Sequence, residues 1–223
     1  MLTRSATPSK MNLIARNPNQ RKYIDLLHAE NPSIVVASGS AGTGKTLLAT
    51  HVGVKKLLSE EFKKIIITRP TVSVDESIGF LPGTLEKKME PWTRPIFDVL
   101  SMHFSKKKID DMMSEQIIEI CPLGFLRGRS FNKCWIMCDE SQNTTVNQML
   151  MVLTRIGEGS KIVITGDPNQ YDRGFNTNGL SDLLERTAEY GEATEEDIGI
   201  VKFEDADVER HRIIPLILDM YKN

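Results

Sequence analysis

The sequence predicts an α/β fold with a mostly parallel central sheet. Short apolar runs alternate along the chain with longer amphipathic segments, a glycine-rich stretch follows one of the apolar runs, and polar residues come directly after two others. Continuous apolar runs are typical of strands covered on both faces. Strands that alternate with helices form βαβ units with right-handed crossovers, so a layered α/β domain is expected.

The individual elements follow from these patterns in chain order. The first helix is predicted over residues 19–30 from the helical spacing of Tyr23, Ile24 and Leu27, and Asn31-Pro32 ends it. Runs of adjacent apolar residues predict strands over 33–38, 64–68, 116–120, 134–138, 161–165 and 198–203. Apolar residues at every third or fourth position predict helices over 47–58, 85–102, 145–155, 180–190 and 213–221.

Two segments do not fit this alternation. Residues 70–83 are rich in proline and glycine and are predicted to form a functional loop. Residues 105–114 combine three lysines with Asp110 and Asp111, and this segment is predicted to be a solvated turn rather than a binding patch, because charge runs usually face water.

Composition restricts the class of protein. A chain of 223 residues can bury the core of one sizeable domain without disulfides. Its 28 Lys and Arg against 30 Asp and Glu exclude a global basic field, so any nucleic-acid site must be a local patch. Two of the three cysteines lie in apolar stretches typical of buried reduced thiols, and a zinc site at Cys134 and Cys138 is not expected because no second Cys or His pair follows. A cytoplasmic location is expected, because neither a signal peptide nor a membrane-length apolar run is found.

The glycine-rich stretch matches the phosphate-binding pattern G-x-x-x-x-G-K-[ST] in every fixed position, between a predicted strand and a predicted helix. Glycines allow backbone N–H groups to surround phosphate oxygens, and the positive end of the helix dipole adds to that anion site. The pattern predicts that Lys45 contacts the β- and γ-phosphates and that Thr46 ligates Mg²⁺. The predicted nucleotide-binding residues are Gly39, Ser40, Ala41, Gly42, Thr43, Gly44, Lys45 and Thr46.

A second candidate site follows the apolar run 134–138, where Asp139 and Glu140 come at the end of a predicted strand. An apolar strand that ends in two carboxylates is typical of the Walker B arrangement. Asp139 is predicted to bind Mg²⁺, and Glu140 to activate the attacking water as general base. The alternative is that these carboxylates only cap the next helix.

A third polar turn, residues 166–170, follows the strand predicted over 161–165. It brings polar side chains to the sheet edge where α/β proteins bind ligands. Gln170 is predicted to contact the γ-phosphate or to hold the attacking water, as an amide can do either. A turn without function is the alternative.

Taken together, these motifs resemble those of the PhoH-like ATPases, relatives of the superfamily 1 helicases. The resemblance extends from about Asn17 to the C-terminal helix and includes GSAGTGKT, TRP, GFLPG, PWTRP, RGR, DESQNTT, TGDPNQ and DVERH. It implies a RecA-like, three-layer P-loop NTPase fold, with a flexible segment over residues 1–16 and the ATPase domain over residues 17–223. Ser141 departs from the usual family form DEAQN but removes no catalytic group.

The resemblance also implies roles that spacing does not supply. Gln20 would read the adenine edge, and Arg210 would contact the γ-phosphate. Helicases of this type carry such an arginine on a second domain, for which this chain has no room. A homo-oligomer, with a hexameric ring as the specific expectation, would place Arg210 or another arginine across a subunit boundary.

Several functions remain open at this point. ATP hydrolysis with Mg²⁺ coupled to RNA or single-stranded DNA is favoured, a nucleotide-gated adaptor with slow hydrolysis and a protein partner is the main alternative, and a small-molecule kinase is a weaker one. Four arginines have no derived role and are expected either in surface or interface ion pairs or in contact with phosphates: Arg69, Arg94, Arg127 and Arg129.

Overall fold

The computed structural model describes residues 13–70, 85–170 and 178–209, together with Ile213, Ile217 and Met220. Within these residues the helices are α1 (Pro18–His28), α2 (Lys45–Leu58), α3 (Leu85–His103), α4 (Lys106–Ser114), α5 (Val146–Leu153) and α6 (Gly179–Tyr190). The strands are β1 (Ile34–Gly39), β2 (Lys64–Thr68), β3 (Ile118–Ile120), β4 (Cys134–Cys138), β5 (Lys161–Gly166) and β6 (Ile198–Phe203).

All described strands form one parallel sheet in the order β3-β2-β4-β5-β1-β6. The register pairs Ser38 with Gly166, Gly39 with Phe203, and Cys138 with Thr68 and Ile164. The carboxyl ends of the strands therefore meet along one edge. The predicted fold class is confirmed, and the sheet is more uniform than expected, because every described strand pair is parallel.

Two apolar clusters lie on opposite faces of the sheet. One contains buried side chains of α1, α2, α3 and α4 with alternate strand residues such as Val35, Ile65 and Trp135. The other contains those of α5 and α6 and of a 3₁₀ turn, together with the intervening strand residues such as Val36 and Ile136. Because successive side chains of a strand point to opposite faces, every described strand except the short β3 contributes to both clusters. The result is a three-layer α/β/α domain.

Local signals explain where several helices begin. The Asn17 side chain accepts the backbone N–H of Gln20 at 2.8 Å and caps α1, with Pro18 in the first turn. Thr145 and Gln148 form a reciprocal capping box at the start of α5, with bonds of 3.2 and 2.9 Å. These caps fix helix ends near the carboxyl edge of the sheet.

The far end of α1 is held by a buried ammonium group. The Nζ atom of Lys161, at the start of β5, donates to the backbone carbonyls of Leu26, Ala29 and Pro32 at 3.3, 2.9 and 2.6 Å. Carbonyls at a helix C-terminus lack partners within the helix, and a cation satisfies them. This contact fixes α1 on the sheet and so places Gln20, at its other end, beside the P-loop.

One predicted segment has a different structure. Residues 105–114 are not a solvated turn but contain helix α4, which is capped by the Ser105 side chain. Ile109 and Met112 are buried three residues apart on one face of this helix and pack into the first cluster. The prediction was wrong because it rested on the charge run and not on the three-residue spacing of the apolar positions. The loop predicted over residues 70–83 lies almost wholly outside the described residues, as does most of the closing helix.

Candidate active site at the carboxyl edge of the sheet

The glycine-rich loop connects β1 to α2 and has the backbone that the pattern requires. Gly39 and Gly44 have φ angles of +129° and +89°, which residues with a side chain rarely adopt. A Cβ atom on Gly39 would also lie 2.0 Å from the backbone oxygen of Phe203 in β6. Gly44 directly precedes the first turn of α2, so the free N–H groups of that helix end face the loop.

Lys45 places a buried positive charge within this loop. Its side chain is buried, and Nζ donates to the backbone oxygens of Gly39 and Ser40 at 2.6 and 2.8 Å and to Oγ1 of Thr43 at 3.3 Å. These contacts curve the loop around the ammonium group. A cation surrounded by free N–H groups is the donor set that a polyphosphate needs.

Asp139 joins the loop to the rest of the site. It follows β4 and is buried, and its Oδ1 accepts the hydroxyl of Thr46 at 2.9 Å and the hydroxyl of Thr165 at 2.5 Å. Strand β5 separates β1 from β4, so Asp139 reaches the P-loop through the first turn of α2 rather than from the neighbouring strand. Two residues that are far apart in the sequence thus place hard oxygen atoms side by side.

Glu140 has an unusual backbone and a partnered carboxylate. Its φ is +53°, a left-handed conformation that is uncommon for a residue with a side chain. Oε2 accepts the Nε2–H of Gln142 at 2.6 Å, and Oε1 lies 3.7 Å from Nη2 of Arg69. Its carboxylate makes no capping bond to the 3₁₀ turn that follows, and Thr145 caps α5. The alternative that this carboxylate only caps a helix is therefore not supported.

Gln170 lies in the turn after β5 and is exposed. Together with residues of the P-loop and with Asp139 and Glu140 it lines a cavity of about 250 Å³ at the carboxyl edge of the sheet. The cavity brings together Lys45, Thr46, Asp139, Glu140 and Gln170, which the sequence predicted from three separate motifs. It also includes Gln142, Gly166 and Asp167.

Gln20 is buried next to the P-loop, and its amide is already engaged. Nε2 donates to the backbone oxygen of Thr43 at 3.1 Å, and Oε1 accepts the backbone N–H of Arg16 at 2.9 Å. In this arrangement Gln20 supports the loop, and its reading of adenine stays a prediction. Residues 1–12 of the expected flexible segment lie outside the described residues, whereas Leu13 packs against the core.

Arg210 lies outside the described residues, so its predicted contact with the γ-phosphate stays a prediction. Glu209, the last residue described before it, donates its backbone N–H to the oxygen of Gly42 at 3.0 Å. Ser40 donates its hydroxyl to Asp205 at 2.5 Å. The segment after β6 therefore contacts the P-loop of the same chain.

The four unassigned arginines differ in their surroundings. Arg69 lies 3.8 Å from Oδ2 of Asp139 and contacts Glu140, which places it in the site. Arg129 makes two parallel bonds to Glu119, at 2.5 and 3.0 Å, and this contact lowers the pKa of that carboxyl group. Arg94 and Arg127 are exposed.

Sequence patterns missed two residues of the site, Thr165 and Gln142. Both hold the acidic pair by side-chain hydrogen bonds. The register places Cys138 beside Ile164, so Asp139 and Thr165 are neighbours at the ends of adjacent strands. That relation could have been inferred only from the strand order.

The residues present fit a nucleotide with Mg²⁺. Thr46 and Asp139 offer two oxygen ligands, and Mg²⁺ characteristically takes its remaining ligands from phosphates and water. The described residues contain no cluster of three His, Cys, Asp or Glu that could hold a metal ion. All three cysteines are buried free thiols, and burial raises the pKa of Cys138 to about 12.

A larger cavity of about 890 Å³ opens at the opposite, amino edge of the sheet. Both buried lysines that line this cavity make structural contacts. Lys161 caps α1, whereas Lys56 donates to the backbone oxygen of His28 at 3.1 Å and pairs with Glu61. Ligands of open parallel sheets bind at the carboxyl edge, so we assign the chemistry to the smaller cavity.

A family model described as PhoH-like protein matches residues 12–222 of the chain. The chain belongs to the PhoH-like family. It is 43% identical to a PhoH-like protein of Mycobacterium bovis over 91% of this chain and 56% of the relative, and 36% identical to Protein PhoH of Escherichia coli over 94% and 58%. This PhoH-like chain thus spans a little over half the length of these curated relatives.

Solved structures confirm the fold of this PhoH-like chain. The large terminase of a thermophilic bacteriophage is similar with a TM-score of 0.57 at 11% identity, over 92% of this chain and 50% of the terminase. At this identity the likeness shows a shared fold alone. In the part of the PhoH-like chain that the structure describes, no helix is long and apolar enough to cross a membrane.

Proposed function

We propose that this chain binds ATP with Mg²⁺ and hydrolyses it. The observation that carries the proposal is the 2.9 Å hydrogen bond between Thr46 of the P-loop and Asp139 after β4. It joins the phosphate-binding loop to the acidic pair, and so it gives a site to a carboxylate motif that is ambiguous on its own.

Each residue has a role that its position supports. Lys45 and the loop N–H groups bind the phosphates, and Thr46 and Asp139 hold Mg²⁺, which neutralises charge that develops on the phosphoryl oxygens. Glu140, beside the same cavity, accepts a proton from the attacking water. Gln170 contacts the γ-phosphate or that water from the turn after β5.

The test is ATP turnover by the unaltered chain and by Glu140→Gln. Loss of the general base lowers kcat by roughly 10²- to 10⁴-fold, while the amide preserves the shape of the side chain and ATP binding. The matched control is Glu185→Gln, the same change at an exposed position of α6. Equal turnover by the unaltered chain and Glu140→Gln would show that Glu140 is not the base, and no turnover by either would refute the enzyme assignment.

We further propose that hydrolysis is linked to RNA or single-stranded DNA. Support comes from the motif resemblance to superfamily 1 helicases, and exposed arginines such as Arg94 and Arg127 supply local positive charge. The measurement is the hydrolysis rate with and without single-stranded RNA or DNA at several salt concentrations. A salt-sensitive rise supports this link, because phosphate contacts release counterions. A rate that nucleic acid leaves unchanged favours the alternative, a nucleotide-gated oligomeric adaptor for a protein partner.

The active form is proposed to be a homo-oligomer, with a hexameric ring as the specific prediction, in which Arg210 or another arginine acts on a neighbour's nucleotide. Mixing Arg210→Ala with Lys45→Ala tests this directly. If Arg210 acts across a boundary, some sites in the mixture combine an intact P-loop with an intact arginine and regain activity. The contact of Glu209 with Gly42 makes action within one chain the competing arrangement. In that case the mixture stays inactive.

A further inference from the structure

Gln142 is a buried side chain between two loops of the site. Only 4% of its surface is exposed. Its Nε2–H donates to Oε2 of Glu140 at 2.6 Å, and its Oε1 accepts the backbone N–H of Asp167 at 3.1 Å. The reverse orientation of the amide would place its oxygen against a carboxylate and its NH₂ against an N–H donor, so the two partners fix the amide in one orientation.

The neighbouring strand leaves space for this amide. A Cβ atom on Gly166, at the end of β5, would lie 2.6 Å from Oε1 of Gln142 and 2.8 Å from Cδ2 of Leu180. Gly166 therefore leaves the space that the amide of Gln142 occupies in this arrangement. A change of rotamer at Gln142 would break both hydrogen bonds.

The two partners of Gln142 belong to two functional loops. Glu140 is the proposed general base; its Oε2 accepts from Gln142, and its Oε1 faces Arg69. Asp167 begins the turn that ends at Gln170: its backbone oxygen accepts the N–H of Gln170 at 3.0 Å, and its Oδ1 accepts the N–H of Asn169 at 3.1 Å. One side chain thus contacts both the base and the turn that presents the proposed phosphate contact.

We propose that Gln142 is a positioning residue that holds the Glu140 carboxylate in a fixed orientation relative to the 166–170 turn. The inference rests on the proposed hydrolysis of ATP and deepens it. A general base must lie within hydrogen-bond distance of the proton that it accepts, and a small displacement of its carboxylate slows the reaction without weakening substrate binding. Gln142 acts through Glu140 and does not itself take part in proton transfer.

Gln142→Glu tests the hydrogen bond that Gln142 donates to Glu140. The carboxylate keeps an acceptor for the N–H of Asp167 but loses the donor, and it places a negative charge against Glu140. We expect kcat to fall by roughly 10- to 100-fold. The dissociation constant for Mg·ATP, measured separately with a fluorescent analogue, should change less than about twofold, because Lys45 and the loop are unaltered. The control is Gln148→Glu, where the new carboxylate still accepts the N–H of Thr145 in the capping box, so turnover stays unchanged.

The double variant Glu140→Gln/Gln142→Glu provides a second readout. It restores one donor and one acceptor between the two side chains, in exchanged positions. The decrease in melting temperature caused by Gln142→Glu should therefore be reversed, while turnover stays low. Normal turnover in Gln142→Glu would overturn the inference. So would equal losses of ATP affinity and kcat together with a melting temperature that the double variant does not restore. Absence of turnover in the unaltered chain would instead refute the proposed hydrolysis itself.

Discussion

Thr165 contacts the proposed Mg²⁺ ligand Asp139 from the neighbouring strand. It is 1% exposed and donates to the same Oδ1 atom of Asp139 that accepts from Thr46. Two donors on one oxygen orient the carboxylate and leave Oδ2 towards Arg69. Groups that orient a metal-binding carboxylate in this way tune the metal affinity.

The first prediction follows from that contact. Thr165→Val keeps the shape and the strand preference of the side chain but removes the hydroxyl. The Mg²⁺ concentration that gives half-maximal ATPase activity should rise by roughly 10- to 100-fold. Thr187→Val on α6, whose hydroxyl donates only to a helix carbonyl at 2.8 Å, is the matched control and should leave the Mg²⁺ dependence unaltered. Identical Mg²⁺ curves for Thr165→Val and the unaltered chain would contradict this role.

For single residues, the sequence predicts those that are part of a local motif and misses those whose role depends on a contact with a distant segment. Lys45, Thr46, Asp139 and Glu140 were identified because their chemistry depends on local spacing. Gln142 was overlooked, although it is only two residues from Glu140. Its amide acquires a role only because β5 brings Asp167 next to it, and a one-dimensional pattern does not contain that information.

Helix α2 packs on the sheet through a glycine. A Cβ atom on Gly53 would lie 2.5 Å from Nε1 and 2.6 Å from Cδ1 of Trp135, an indole that is fully buried in β4. The ring of Phe62 packs against the same indole in a T-shaped arrangement, with 5.5 Å between ring centroids. An added methyl group would therefore press against a buried indole that is packed against a second ring.

Gly53→Ala is accordingly predicted to destabilise the fold in spite of the higher helix propensity of alanine. Overpacking costs about 1–3 kcal/mol, which exceeds the gain of about 1 kcal/mol from propensity in most of that range. Urea unfolding followed by circular dichroism measures the difference. Gly124→Ala, where an added Cβ would meet nothing within 4 Å, is the control and should be neutral or slightly stabilising. A Gly53→Ala variant as stable as the unaltered chain would refute the packing argument.

Helices α2 and α3 also share a histidine pair. Nδ1 of His51 lies 2.9 Å from Nε2 of His103. Burial, followed by the positive charge of Lys55 and by His103 and His28, lowers the pKa of His51 from 6.5 to about 4. Burial and then Lys55 lower the pKa of His103 as well. Both rings are therefore neutral in the folded chain at pH 7.

The pair predicts a loss of stability in acid. Because the folded pKa of His51 is the lower one, the unfolded chain binds more protons between about pH 6.5 and 4, and stability falls as the pH falls through that window. The loss from this pair is on the order of 2 kcal/mol. Melting temperatures of the unaltered chain and of His51→Gln, compared at pH 7.5 and 4.5, measure it. The variant should lose less on acidification, and equal losses would show that the pair does not contribute.

Elements were predicted well where their pattern was simple. β2, β4 and β6 have the predicted bounds, because each is an apolar run between charged or turn residues. α4 was missed because its apolar face contains few residues among many charges. The strand order was beyond prediction, since the position of β5 between β1 and β4 depends on long-range packing rather than on any local signal.

At the scale of the whole molecule, the P-loop is connected to several distant parts of the chain. It contacts α1 through Gln20, the segment after β6 through Asp205 and Glu209, and β4 through Asp139. A ligand that fixes the loop therefore stabilises its contacts with all three of these parts of the chain. Nucleotide binding should consequently be visible as a change in global stability.

Mg·ATP is predicted to raise the melting temperature in proportion to its binding. At a free concentration of 100 times its dissociation constant, a ligand that binds only the folded state adds about 2.7 kcal/mol. For a chain of this size that corresponds to roughly 5–10 °C. Glu140→Gln should show a similar rise, whereas Lys45→Ala should show little at the same ATP concentration. A melting temperature of the unaltered chain that does not respond to Mg·ATP would refute nucleotide binding.

The close approach of Gly39 to Phe203 has a consequence for protein design. The first glycine of the phosphate-binding pattern is required here by the backbone of β6, which would clash with any side chain at 2.0 Å, as well as by the curvature of the loop itself. A transplant of residues 39–46 alone into another α/β scaffold would therefore carry only part of the motif's structural context. Strand β6, which pairs with β1 at the edge of the sheet, therefore belongs to the structural unit that supports the loop. A graft that includes β6 should reproduce the loop conformation more faithfully than one that copies only the eight residues of the pattern.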